Sequence, residues 1–206
     1  AGLCLEDGIE VISRGEEGNF GLNVKFLNGS GSKTLYQDVL EVLSEDIPEI
    51  KNYFWELNIR LSLPISQGFG MSASGAIAAA SSLQRALGVS HEESKRRSYL
   101  VAHLIERKRS TGLGDTTGLV SGGVERRIKE GSPFSGILLD KGPGESEGWA
   151  HNIQLLLAWK SESGRHTSEY IDNREWKEKI TKSGIEKMNL IGKGVWDSSR
   201  WEELLL

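Results

Sequence analysis

Apolar and polar residues alternate without a break along Leu57-Asn58-Ile59-Arg60-Leu61-Ser62-Leu63, the period of a strand with one buried face. Segments 8–13 and 23–28 also read as strands, and residues 34–44 carry helical spacing. Pro64 ends the alternating run. A glycine-rich stretch then opens into 71–87, an alanine-rich segment without proline that predicts a closely packed helix. A second long helix starts at Ser90, where Glu93 completes a capping box; its apolar positions Tyr99, Val101, Ala102, Leu104 and Ile105 are expected to face the core, and it ends before Gly112. Strands are expected near 122–129, 135–140 and 152–159, a helix over about 168–189 and another from 198. No internal repeat is present. The order strands, helices, strands, helices predicts a two-layer α+β fold rather than a doubly wound parallel sheet.

Composition narrows the function classes. The 206 residues allow one substantial domain or two small ones sharing a cleft. A net charge of −4 gives no global electrostatic case for nucleic acid. The basic runs Lys95-Arg96-Arg97 and Arg107-Lys108-Arg109 lie beside glutamates in a helical pattern and read as a solvated face. No apolar run approaches the roughly 18 residues of a membrane span, and Ala1-Gly2-Leu3-Cys4 does not read as a signal peptide. The single cysteine, Cys4, excludes an internal disulfide and fits a reducing cytoplasm. His91 and His151 lack metal-type spacing with Cys4, which argues against zinc. Trp176, Trp196 and Trp201 fall in amphipathic segments and read as core or interface packing. Glycine, 25 of 206 residues against a usual ~7%, clusters at 68–75, 112–123 and 141–148. The third cluster has no apolar anchor and reads as a mobile surface loop.

The first cluster, Pro64-Ile65-Ser66-Gln67-Gly68-Phe69-Gly70-Met71-Ser72-Ala73-Ser74-Gly75, follows a strand and opens a helix. That order suits phosphate. Glycines let the backbone approach an anion, and the helix offers free N–H groups and a partial positive charge. The loop has no lysine, so it is not a Walker A motif, and Ala73 stands where a G-x-G-x-x-G fingerprint needs glycine. Without lysine or arginine, backbone and helix dipole would do most of the work. The alternative is a turn that only lets a helix pack tightly on a sheet.

The same residues resemble the second motif, P-x-x-x-G-L-G-S-S-A, of the galactokinase, homoserine kinase, mevalonate kinase and phosphomevalonate kinase superfamily, the GHMP kinases. Gly68-Phe69-Gly70, Ala102-His103-Leu104-Ile105-Glu106, Thr111-Gly112-Leu113-Gly114-Asp115 and then Gly122-Gly123-Val124-Glu125-Arg126-Arg127 look most like the archaeal pantoate kinase branch. The resemblance covers roughly 60–140. It implies a GHMP-kinase-like two-layer sandwich with a left-handed β-α-β unit around the loop. On that reading residues 1–140 form the ATP-binding domain, and 141–206 begin a C-terminal domain that looks incomplete. The superfamily's first and third motifs are expected before Ala1 and after Leu206. The implied reaction is transfer of the ATP γ-phosphate to the primary hydroxyl of pantoate, a step toward coenzyme A. Alternatives are a homoserine- or mevalonate-type kinase, or a catalytically silent nucleotide-binding relative. A homodimer is also implied.

Phosphoryl transfer needs a phosphate cradle, Mg²⁺ and a group that orients the hydroxyl. The resemblance places the nucleotide on Gly68, Phe69, Gly70, Met71, Ser72, Ala73 and Ser74. It gives Mg²⁺ to Ser72 and Glu106, for which a helix-capping serine and a solvated glutamate paired with Arg107 or Arg109 are the alternatives. It makes Asp115 the proposed base, against an Asx-turn or helix cap. An aspartate is a weak base for an alcohol, so its part would be to orient the hydroxyl and take the proton late. His103, one turn before Glu106, and Arg127 fall at the acyl-substrate end, where a guanidinium fork suits a carboxylate. Arg126, on the opposite strand face, competes with Arg127. Thr167 either caps the next helix or touches substrate.

Overall fold

The computed structural model describes residues 2–112, 114–150, 152, 154–159, 173–192 and 198–204. In chain order the elements are β1 (Gly2–Leu3), β2 (Ile9–Glu17), β3 (Gly21–Phe26), α1 (Lys33–Asp46), β4 (Tyr53–Leu61), α2 (Met71–Ala86), α3 (His91–Arg109), α4 (Asp115–Ser121), β5 (Val124–Lys129), β6 (Phe134–Ser135), β7 (Asp140–Lys141), β8 (Glu145–Trp149) and α5 (Arg174–Ile191). A 3₁₀ turn, Pro48–Asn52, precedes β4, and another, Ser198–Leu204, stands where a helix from 198 was expected.

The alternation that predicts β4 is its packing pattern. Trp55, Leu57 and Ile59 are fully buried, while Glu56 and Asn58 point the other way. The strand runs from 53 rather than 57, because Pro48 sets a 3₁₀ turn that ends at Asn52. β4 is the centre of a three-stranded sheet, antiparallel to β2 and parallel to β3. The parallel crossover is β3–α1–β4, directly ahead of the glycine loop. α1, α2 and α3 supply the rest of the core: Tyr36, Val39 and Leu43; Ala76, Ala79, Ala80 and Leu83; Val101, Ala102 and Ile105. Each buried Leu or Ile is worth about 1.5–3 kcal/mol over exposure. The alanines of α2 keep it thin, so that it packs closely against both α3 and β2.

Ser90 caps α3, its hydroxyl accepting from the Glu93 N–H at 3.3 Å. Two readings of this helix need correction. Leu104 is 48% exposed, turned round the helix from the buried stripe of Val101, Ala102 and Ile105. Arg97 is not on a solvated face: it is buried and bonds Gln84 Oε1 at 3.0 Å and Glu93 Oε1 at 2.8 Å.

The second half departs further from its apolar pattern. β1, β5 and β8 form an antiparallel sheet in the order β1-β5-β8, with Val124, Leu3 and Trp149 packed on Met188 and Ile191 of α5. The expected mobile loop at 141–148 therefore contains most of a paired strand. Gly148 is there for close approach, since a Cβ would lie 2.4 Å from the Ser121 carbonyl oxygen. This sheet pairs residues from both sides of position 140. The expected strand 135–140 is instead a hairpin of the two-residue strands β6 and β7, its turn bent by positive φ at Gly136 and Leu139. No strand forms among the described residues of 152–159. α5 spans the described part of the helix expected over 168–189, capped by Asn173, and Trp176 on it is 46% exposed rather than core.

Candidate active site

The loop after β4 ends at Gly70, whose positive φ of 62° is easy for glycine and turns the chain into α2. No side-chain hydrogen bond caps this helix start, an arrangement that leaves its first N–H groups available to an anion. A cavity of about 550 Å³ lies in front of it. Gly68, Phe69, Gly70, Met71 and Ser72 line one side, and Leu35, Tyr36 and Ile65 give it an apolar end. Ala73 and Ser74 are absent from this lining; Ala73 is fully buried and the Ser74 N–H is spent on the Gly70 carbonyl at 3.0 Å.

Ser72 donates from Oγ to Glu106 Oε1 at 2.6 Å, and Thr111 Oγ1 donates to the same oxygen at 3.4 Å. Glu106 is therefore no solvated partner of Arg107 or Arg109: it is 3% exposed. Burial pushes its carboxyl up to about 7; the Ser72 hydrogen bond opposes this, the Asp115 charge adds to it, and Thr111 and Arg127 pull the other way. Gly112 must be glycine for this arrangement, because a Cβ would fall 2.0 Å from Glu106 Oε2.

Asp115 opens α4, a seven-residue helix that the sequence reading took for loop. Its Oδ2 is 3.9 Å from where a Gly70 Cβ would be, so its carboxylate reaches the phosphate loop. Arg127 Nη1 approaches Asp115 Oδ1 at 3.7 Å, and Arg127 Nη2 pairs with Glu125 Oε1 at 2.9 Å. Arg126 lies on the other strand face, bonded to Glu147 Oε2 at 2.7 Å. Arg127 and His103 line a second cavity of about 670 Å³ together with Glu106, Gly112, Lys129 and Lys177. Burial, and secondarily Arg107, lower the His103 pKa, which favours its neutral form. Thr167 lies outside the described residues.

The structure thus brings Ser72, Glu106, Asp115 and Arg127 into one wall. Ser72 and Asp115 line the loop cavity, Glu106 lines the cavity of His103 and Arg127, and the Ser72–Glu106 hydrogen bond links the two linings. Ser72 and Glu106 offer hard oxygen donors. No cluster of three acidic, His or Cys groups occurs among the described residues, but Mg²⁺ shared with phosphates needs only one or two carboxylates. Glu106 also has no Lys or Arg within 4.0 Å among the described residues, so its charged form lacks a contacting cation that Mg²⁺ would supply. The two side chains fit such an ion.

Sequence reasoning missed Glu125 and Thr111. Glu125, 1% exposed, shares a strand face with Arg127 at i, i+2 and was legible from that spacing. Thr111 heads the Thr-Gly-Leu-Gly-Asp run but has no period to mark it.

Residues 34–123, which include the loop, α3 and Asp115, match the family described as GHMP kinases N terminal domain. The architecture is an α+β fold like that of GHMP kinases. Among curated proteins, the chain is similar to pantoate kinase of Thermococcus kodakarensis, 31% identical over 140 residues, covering 66% of this chain and 45% of that protein. A solved structure described as a phosphotransferase related to the CoA biosynthesis pathway matches with a TM-score of 0.56 and 28% identity, over 71% of this chain and 46% of that one. The chain spans less than half the length of these relatives. None of the described helices is long and apolar enough to cross a membrane.

Proposed function

We propose that the protein transfers the γ-phosphoryl group of ATP to the primary hydroxyl of pantoate, giving 4-phosphopantoate. The observation that carries this reading is the shared wall: Ser72, Glu106 and Asp115 stand between a glycine-loop cavity and a second cavity lined by His103 and Arg127. Its similarity to a pantoate kinase supports that choice of acceptor.

The loop amides and the α2 N-terminus bind the phosphates, and the apolar end at Leu35, Tyr36 and Ile65 takes the base. Ser72 Oγ and Glu106 would hold Mg²⁺, which neutralises phosphate charge when bound. Asp115 orients the acceptor hydroxyl and takes its proton late. Arg127 holds the acceptor carboxylate, its own position fixed by Glu125, and neutral His103 donates to or accepts from the same substrate. A reducing, cytoplasmic setting fits the lone free thiol of Cys4.

The test is coupled ATP turnover with pantoate, homoserine and mevalonate. Turnover on pantoate above the other two is expected, with Asp115→Ala lowering kcat at least about a hundredfold and Ser72→Ala weakening Mg-ATP use. Preference for homoserine or mevalonate would move the protein to another GHMP kinase activity. ATP binding without any turnover would make it a silent relative.

A further inference from the structure

The glycine loop carries no lysine or arginine, yet a nucleoside triphosphate brings about four negative charges at neutral pH. The cavity in front of the loop does contain a cation, and among its lining residues only one: Arg109, the last residue of α3. It lines that cavity with Gly68, Gly70, Ser72 and Thr111. The run Arg107-Lys108-Arg109 is therefore not wholly a solvated face; the Arg109 side chain is 24% exposed.

What holds Arg109 there is α1. Its Nε donates to Asp38 Oδ2, and Lys108 Nζ donates to Asp38 Oδ1 at 3.0 Å. Burial would raise the Asp38 carboxyl, but hydrogen bonds from Lys108 and Arg109 outweigh it and hold the group below its usual range. One carboxylate thus faces two cations, and the trio keeps a net positive charge. Nε is the only guanidinium nitrogen of Arg109 in a hydrogen bond among the described residues. An arginine anchored at Nε still has two terminal amino groups, the arms that bind phosphate oxygens as a fork.

We infer that Arg109, anchored through Nε by Asp38, is a nucleotide-binding residue that gives the polyphosphate the side-chain cation the glycine loop lacks. The inference rests on the nucleotide reading of the loop cavity. A purely structural tie between α1 and α3 would use the same Asp38 contact, and Lys108 separates the two ideas. It shares Asp38 but does not line the cavity.

Calorimetric titration of the protein with ATP, ADP and AMP, alongside melting temperatures, decides the matter. Arg109→Gln is expected to weaken ATP and ADP about tenfold to a hundredfold and AMP much less. Arg109→Lys keeps a charge for Asp38 but has no second arm, so it should melt like the wild type and still lose at least about tenfold in ATP affinity. Lys108→Gln should bind ATP within about twofold of wild type. Wild-type ATP affinity in Arg109→Lys, or equal losses of ATP and AMP in Arg109→Gln, would overturn the inference. So would a loss in Lys108→Gln matching that of Arg109→Gln. Wild-type protein that binds no ATP at all would instead remove the nucleotide reading beneath it.

Discussion

Glu106 shows how one buried carboxylate ties stability to function. With its carboxyl at about 7 in the folded chain and near the ordinary 4.5 when unfolded, the unfolded state loses its proton first as pH rises. Below that window both states are protonated and there is no penalty. Through it the folded state is progressively disfavoured, and above about 7 the full cost applies, on the order of 3 kcal/mol. The ligand-free protein should therefore lose stability relative to Glu106→Gln between these pH values. At pH 8 Glu106→Gln is expected to melt roughly 5 °C or more above wild type, while its phosphoryl transfer falls. Parallel melting profiles would show that Glu106 does not carry this strain. Arg127 acts on the other side of the wall. Arg127→Ala should raise the acceptor KM about tenfold to a hundredfold and leave the ATP KM near its wild-type value, read from initial rates with each substrate varied in turn.

At the scale of elements, the wall depends on backbone that comes close. Gly112→Ala would put a methyl carbon into Glu106 Oε2, so the carboxylate must swing away from Ser72. A fall in kcat of at least about tenfold is expected with α3 intact by circular dichroism; unchanged kcat would mean the Ser72–Glu106 contact is dispensable. The elements around the glycine-loop cavity were legible in the sequence because each has a period. β4 alternates, α2 is a run of small residues after a glycine turn, and α3 has both a capping box and an apolar stripe. The elements on the other side of the wall were not. α4 is seven residues of Asp-Thr-Thr-Gly-Leu-Val-Ser, weak helix formers held by contacts of Thr117 with Gly131 and Ser146. β8 is Glu-Ser-Glu-Gly-Trp, with Trp149 its one large apolar residue, and is defined by its pairing with β5. Apolar periodicity has nothing to say about a strand whose partners are backbone and a salt bridge.

Across the whole molecule, the two halves meet at the site. The helical layer on β2, β4 and β3 brings Ser72 and Glu106; α4 and the β1-β5-β8 sheet bring Asp115 and Arg127. The residues of the wall were individually legible through motif order, since Ser72, Glu106 and Asp115 each sit in a recognisable run. Their meeting was not, because it joins positions 72, 106, 115 and 127 through tertiary contacts. Arg109 escaped for the same reason: within its own helix it is one of three basic residues in a row, and only α1 and the loop distinguish it. The central claim is that this wall passes a phosphoryl group from one cavity to the other. It is tested most directly by following the phosphorus nuclei of Mg-ATP in the presence of the protein and pantoate. The account predicts a phosphomonoester signal on pantoate growing with ADP, one for one, and absent with Asp115→Ala. Release of inorganic phosphate alone, with pantoate left unmodified, would contradict it.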